Sequence, residues 1–234
     1  MYVFGKNVAR ELLNENKKIK KIILSNNFKD EEINELVNLS NNFVIYEDKK
    51  KMDKLVDGIH QGIIIEIEDY KYYSEDKMLT ELKPNCFIVI LDHLEDPHNF
   101  GAIIRTCESA GVDYIIIPKD RSVQVNATVM KTSAGALNNV KIVKSINLNN
   151  IIKKLKKKNV WIVGTDMENS SPYDKIDYTT STALVIGSEG FGMSELVKKN
   201  CDFIARIPMH GKVNSLNASV AAGIMIYEVI RQRQ

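Results

Sequence analysis

A chain of 234 residues with 44% hydrophobic and 26% charged side chains has the composition of a folded globular protein, long enough for one large domain or two small ones. Its formal charge of +2 does not by itself advertise nucleic-acid binding, and no apolar run is long enough to span a bilayer. Cys86, Cys107 and Cys201 are isolated and odd in number, which argues against a disulfide frame and a zinc site. With no apolar leader at the N-terminus, the cytoplasm is the expected compartment.

The first seventy residues alternate between helical and extended patterns. Val8, Leu12 and Leu13 predict a short opening helix. Apolar runs at 21–24, 43–46 and 63–67 read as strands, and residues 31–39 and 49–56 carry helical spacing. Together they predict a compact α/β unit. Two glycines bracket His60 in a Gly-Ile-His-Gln-Gly turn, where His60 reads as a loop residue satisfied by backbone. Residues 70–84 are polar and aromatic with little periodicity beyond a short helix near 78–82, and read as a linker.

From residue 85 onward strands and helices alternate. Residues 87–91 form a continuous apolar strand, followed by an acidic loop with Pro97 and a helix over 100–110 for which Asn99 is the expected N-cap. Residues 114–117 form the next strand, stopped by Pro118, and a small-residue patch at 133–136 suits close packing. A strand at 140–143, a lysine-rich helix at 148–158 and a strand at 160–163 follow. This alternation predicts a largely parallel sheet covered on both faces.

Two polar loops stand out because each follows a strand and opens a helix. One contains Gly-Ser-Glu-Gly-Phe-Gly at 187–192; the other runs from Met209 to Ser215 with Gly211. Beyond the second, Leu216, Val220, Ile224 and Tyr227 predict the apolar stripe of an amphipathic helix, with Ala218, Ala221, Ala222 and Gly223 giving it a small-residue face. Such loops suggest a small-molecule pocket without naming its ligand. The glycine cluster has neither the Gly-Lys-Ser/Thr ending of a P-loop nor the G-x-G-x-x-G order of a dinucleotide fold.

The residues narrow the choice. Asn-Phe-Gly-Ala-Ile-Ile-Arg at 99–105, Ile-Gly-Ser-Glu-Gly-Phe-Gly at 186–192 and Ile-Pro-Met-His-Gly-Lys-Val-Asn-Ser-Leu-Asn-Ala-Ser-Val-Ala at 207–221 resemble, in order and spacing, the three motifs of the SpoU (TrmH-like) branch of the SPOUT RNA methyltransferases. The opening Phe-Gly-Lys-Asn-Val-Ala-Arg-Glu and the His-Gln-Gly-Ile block are similar to the substrate-binding domain of bacterial 23S rRNA guanosine 2′-O-methyltransferases. The resemblance implies an L30e-like RNA-binding domain over 1–72, a linker over 73–84 and, over 85–234, a SPOUT domain with a parallel sheet and a deep trefoil knot. It also implies S-adenosylmethionine as cofactor, structured RNA as partner, a homodimer and no metal.

Transferred residue by residue, the family pattern makes Arg105 the catalytic arginine, with Asn99, Glu189, Ser215 and Asn217 supporting it. An arginine stays protonated in proteins, so a phosphate clamp and electrostatic stabiliser is the favoured role for Arg105, and the proton acceptor is left open. Bare sequence would equally accept Arg105 in a helix salt bridge and Asn217 as a helix cap. The implied cofactor site is formed by Ile186, Gly187, Glu189, Gly190, Ile207, Met209, Ser215, Leu216 and Asn217. A folded RNA would also need a basic face, for which the lysines over 17–21 and 153–158 are available, although such runs also serve as solvated surface. The resulting expectation is 2′-O-methylation of a guanosine in 23S rRNA. The rivals are tRNA 2′-O-methylation, a non-catalytic RNA-binding or ribosome-assembly module of the same fold, and a nucleotide-dependent oxidoreductase suggested only by alternating strands and glycines.

Overall fold

The computed structural model describes residues 1–14 and 18–234, so Lys17 of the first basic run lies outside the described residues. The chain forms two compact units, Met1–Lys71 and Tyr72–Gln234.

The first unit runs β1 (Tyr2–Phe4), α1 (Lys6–Asn14), β2 (Ile19–Ser25), α2 (Glu31–Leu39), β3 (Val44–Glu47), α3 (Lys49–Met52) and β4 (Ile63–Ile67). Its sheet has the order β1-β4-β2-β3, with β2 and β3 parallel and the other pairs antiparallel. The apolar runs of β2 and β4 are buried, as are Ile33, Val37 and Met52 of the covering helices. Helix α3 is a single turn rather than the longer helix expected over 49–56, because the chain turns at Asp53, whose carboxylate meets His60. His60 is buried, with Nε2 3.0 Å from Asp53 and Nδ1 accepting the Gly62 N–H at 3.0 Å, so it pins its loop from inside. Strand β1 escaped the sequence reading because three residues are too few to display alternation.

The second unit contains α4 (Glu75–Glu81), β5 (Phe87–Asp92), α5 (Pro97–Ser109), β6 (Tyr114–Pro118), α6 (Ala127–Thr132), β7 (Ile142–Ser145), α7 (Leu148–Lys156), β8 (Trp161–Thr165), β9 (Ser171–Pro172), β10 (Thr182–Gly187), α8 (Glu195–Asn200), β11 (Phe203–Arg206) and α9 (Ala218–Arg233). The strands pair in the order β7-β6-β5-β10-β8-β11-β9, every pair parallel. Strands β5 and β10 are almost wholly apolar and buried on both faces, as expected at the centre of a covered parallel sheet. Helices α7 and α8 pack with Ile88, Ile90, Ile116 and Ile162 on one face, while α9 packs on α5 and β10.

Two expectations are corrected. Residues 73–84 are not a linker. Tyr73 bridges to Val143 of β7, its ring lies 5.8 Å from that of Tyr114, and Met78 of α4 is fully buried. Two turns of helix are too short a window for that periodicity to stand out. The stripe expected to face the core on α9 also lies elsewhere. Val220 and Tyr227 are about half exposed, at 49% and 51%, whereas Ala222, Met225, Ile226 and Val229 are buried. A helix apolar on most of its circumference gives no sequence signal of which side docks, and here the side carrying Ala218 and Ala222 meets the rest of the unit.

Candidate active site

The strands of a parallel sheet end together, and the site lies at that edge. Strand β5 ends in Asp92, a carboxylate with no solvent exposure. Its Oδ2 accepts from the backbone N–H of Ser194 at 2.7 Å and from Ser194 Oγ at 2.9 Å, and its Oδ1 meets His93 Nδ1. Asp92 therefore ties the end of β5 to the far end of the glycine loop that follows β10. His93 sits in the left-handed region at φ 58°, which turns the chain toward α5.

Helix α5 begins earlier than expected. Asp96 is the N-cap, accepting the His98 N–H at 2.8 Å, and Pro97 opens the helix with its φ already fixed. Asn99, expected as the cap, lies instead in the first turn and is buried. Its Nδ2 donates to Asp96 Oδ2 at 3.1 Å and to Glu189 Oε1, and its Oδ1 accepts from Asn217 Nδ2 at 3.0 Å. One asparagine thus joins all three motif blocks, giving its protons to carboxylates and its carbonyl to an amide. Asn217 is also the N-cap of α9, where its Oδ1 accepts the N–H groups of Ser219 and Val220 at 2.9 and 3.3 Å.

Arg105 stands outside this network. It lies six residues beyond Asn99, about 9 Å along the helix axis, exposed to solvent, and its guanidinium has no hydrogen-bond or ion-pair partner among the described residues. The alternative of a helix salt bridge is therefore absent among those residues. Ser215 is exposed and makes no side-chain hydrogen bond among the described residues.

The residues expected around a cofactor cluster by strand order. Strands β10, β8 and β11 are neighbours, so Ile186 and Gly187, Thr165 and Asp166, and Ile207 and Met209 leave the sheet side by side. Ile186 is buried at 2%, so it offers backbone rather than side chain to any ligand; Ile207, Met209 and Leu216 are half-buried. At Gly187 an added Cβ would lie 2.3 Å from the Gly192 carbonyl carbon, because the loop folds back onto the strand end. At Gly190, with φ 81°, the surrounding space is open. A cavity of about 260 Å³ opens beside this loop, lined by Glu189 together with His93, Glu95, Ser188, Phe191 and Ser194 among others.

Sequence reasoning missed Asp92, Asp96 and Asp166. The first ends an apolar run, which is the available signal; the second precedes a proline at a helix start. Asp166 leaves β8 paired with Lys198 at 2.8 Å, and although burial opposes it, that ammonium holds the Asp166 carboxyl below the ordinary aspartate value. None of the cysteines supplies a nucleophile. Burial raises the Cys86 thiol, raises the Cys107 thiol well above the usual range and pushes Cys201 up to about 12.

The sequence model of the SpoU rRNA methylase family matches residues 86–227, the span that contains all three motif blocks. The chain belongs to the SpoU rRNA methylase family. A second model, that of the RNA 2′-O ribose methyltransferase substrate-binding domain, matches residues 2–73 of this SpoU protein. It is 45% identical to a protein of Staphylococcus saprophyticus assigned to the TrmH family of tRNA/rRNA methyltransferases, over 99% of this chain and 95% of that one. It is 41% identical to YacO of Bacillus subtilis, assigned to the same family, over 99% and 96%. Among solved structures, the SpoU methyltransferase AviRb of Streptomyces viridochromogenes, crystallised with the cofactor AdoMet, superposes with a TM-score of 0.75 at 22% identity, over 100% of this chain and 90% of that one. The TrmH/SpoU tRNA modifying enzyme of A. aeolicus gives 0.59 at 31% identity, over 68% and 84%.

Proposed function

We propose that this SpoU protein transfers the methyl group of S-adenosylmethionine to the 2′-oxygen of a nucleotide in structured RNA, with a guanosine of 23S rRNA placed first among substrates. The observation that carries the reading is the Asn99 network, which joins the three motif blocks, with Arg105, unpartnered among the described residues, on the same helix. The match of residues 2–73 to an RNA 2′-O ribose methyltransferase substrate-binding domain supports ribose as the acceptor.

The cofactor, when bound, supplies an electrophilic methyl group. The adjoining ends of β10, β8 and β11 suit it, with open space at Gly190 and exposed backbone beyond Gly187. Ile186, Gly187, Glu189, Gly190, Ile207, Met209, Ser215, Leu216 and Asn217 would hold it. Arg105 binds the RNA phosphate beside the target ribose and stabilises charge as the hydroxyl attacks. Asn99 fixes Glu189 and Asn217, so much of the rate comes from placing the reactants in line. The order β5-β10-β8-β11, in which a late strand returns between two earlier ones, supports the trefoil knot of the family. Half-exposed Val220 and Tyr227 on α9 support a homodimer through that helix. A cytoplasmic location fits such a substrate.

The test is methyl incorporation from labelled S-adenosylmethionine into unmodified 23S rRNA, 16S rRNA and tRNA, followed by mapping of the product. A 2′-O-methylguanosine in 23S rRNA is the expected result. Label confined to tRNA would keep the chemistry and overturn the substrate; that second reading is favoured by the resemblance to the tRNA modifying enzyme. Absence of label from every RNA, including assembling large subunits, would overturn the reading.

A further inference from the structure

A second cavity, of about 520 Å³, opens where β6 and β7 leave the sheet. It shares His93 and Ser194 with the smaller cavity beside Glu189, so the two adjoin across a wall whose parts are both bonded to the buried Asp92 carboxylate. The rest of its lining includes Asp120, Arg121, Ile146 and Asn147. The family motifs account for none of these four.

Arg121 is the informative one. Its guanidinium is exposed and has no partner among the described residues, although Asp120 is its neighbour in sequence. The segment bearing it is nonetheless held firmly. Ser122 Oγ and the Val123 N–H both donate to the Leu94 carbonyl, at 3.0 and 2.7 Å, and the Lys119 N–H donates to Ser145 at 2.8 Å. Leu94 belongs to the turn that leads into Asn99, so the segment carrying the arginine is tied through Ser122 and Val123 to the turn that positions the site. A long cation without a partner, on a segment fixed by its backbone, is suited to a ligand's anion rather than to holding the fold. Lys119 adds positive charge on the same segment. Ile146, in the same lining, is 84% exposed and offers apolar surface to a base.

We propose that this cavity receives the RNA strand flanking the target nucleotide, with Arg121 gripping a phosphodiester at its rim and Ile146 supporting a neighbouring base. The proposal rests on the methyltransferase reading for its substrate and extends it to a subsite. It separates two arginines: Arg105 serves the reacting ribose, and Arg121 serves the strand beside it.

The experiment compares the full-length protein with its Arg121→Ala and Arg121→Lys variants. Binding of an unmodified 23S rRNA transcript is measured between 50 and 200 mM salt, S-adenosylmethionine binding by calorimetry, and methylation by steady-state kinetics. Loss of one bidentate phosphate contact is expected to weaken RNA binding by about tenfold and to reduce the slope of log affinity against log salt by about 0.7–0.9. KM for RNA rises with little change in kcat, cofactor affinity holds, and Arg121→Lys restores the salt slope but only part of the affinity. Unchanged RNA affinity and salt slope in Arg121→Ala would overturn the proposal. So would a joint loss of cofactor binding and thermal stability, which would make Arg121 a structural residue. If the wild-type chain methylates no RNA yet Arg121→Ala still weakens transcript binding, the proposed reaction falls and this subsite stands.

Discussion

Asn217 gives its side-chain amide to the carbonyl oxygen of Asn99 across 118 residues of sequence, at 3.0 Å, while its own carbonyl caps helix α9. The start of one helix and the start of another are thereby fixed to each other by one pair of amides, and Glu189 is held by the same Asn99 nitrogen that reaches Asp96.

Replacing Asn99 tests that arrangement. Asn99→Ala leaves two carboxylates and an amide without their common partner and is expected to cost about 1–3 kcal/mol of stability and at least tenfold in methylation. Asn99→Asp sets a third carboxylate beside Asp96 and Glu189, which raises the new group's folded pKa above its unfolded value. Its stability penalty is therefore full at alkaline pH and fades as the pH falls. Urea unfolding at pH 8 and pH 5 should find Asn99→Asp the less stable variant at pH 8, with the gap closing at pH 5.

Arg105→Ala should separate catalysis from folding. An exposed side chain without partners among the described residues contributes about 0.5 kcal/mol or less to stability, so the melting temperature should hold. Turnover should fall by about 100-fold or more if the guanidinium stabilises developing charge. Calorimetry with S-adenosylmethionine should report unchanged affinity, and unchanged turnover would remove Arg105 from the mechanism.

Gly187→Ala pushes a methyl group to 2.3 Å from the Gly192 carbonyl carbon, and backbone on both sides leaves nothing flexible to yield. The glycine loop must open, at a cost of about 1–3 kcal/mol. Loss of S-adenosylmethionine binding with the far-UV spectrum intact is the expected outcome, since Gly187 lies where the loop leaves the buried end of β10.

Acid should loosen the first unit through Asp30. Its carboxylate takes the Lys6 ammonium at 2.9 Å, caps α2 through the Ile33 N–H at 3.2 Å and meets Arg10, and the hydrogen bond from Lys6 is the largest influence holding its pKa below the ordinary value. A depressed folded pKa means stability that is present above the unfolded value, about 4, and lost as the pH drops through the folded one. Protection factors of the α1 and α2 amides, corrected for intrinsic exchange at each pH, should fall below that pH in the wild type, and Asp30→Asn should flatten the dependence.

Much of this architecture could be read from the chain because parallel strands buried on both faces leave continuous apolar runs, as in β5, β6 and β10. The three motif blocks could be read because their residues recur together in one order. What escaped depended on tertiary context. Asp92 looks like any acidic residue after a strand until Ser194, 102 residues away, supplies its donors. Asn99 looks like a cap because caps favour asparagine, yet Asp96 with Pro97 behind it takes that place and leaves Asn99 for the interior. The docking side of α9 and the attachment of α4 were hidden for opposite reasons, one helix being apolar nearly all round and the other very short.

The partnership of Asn99 with Asn217 also sets a time order. As the chain is synthesised, the buried carbonyl of Asn99 waits through 118 further residues for its donor, and the carboxylate of Glu189 arrives before the amide that completes the set. A nascent chain halted before Asn217 can contain Arg105 and the whole glycine loop and still have no assembled site. Activity should therefore appear abruptly with emergence of the segment around residue 217, and half-made copies on the ribosome should be inert toward the RNA that surrounds them.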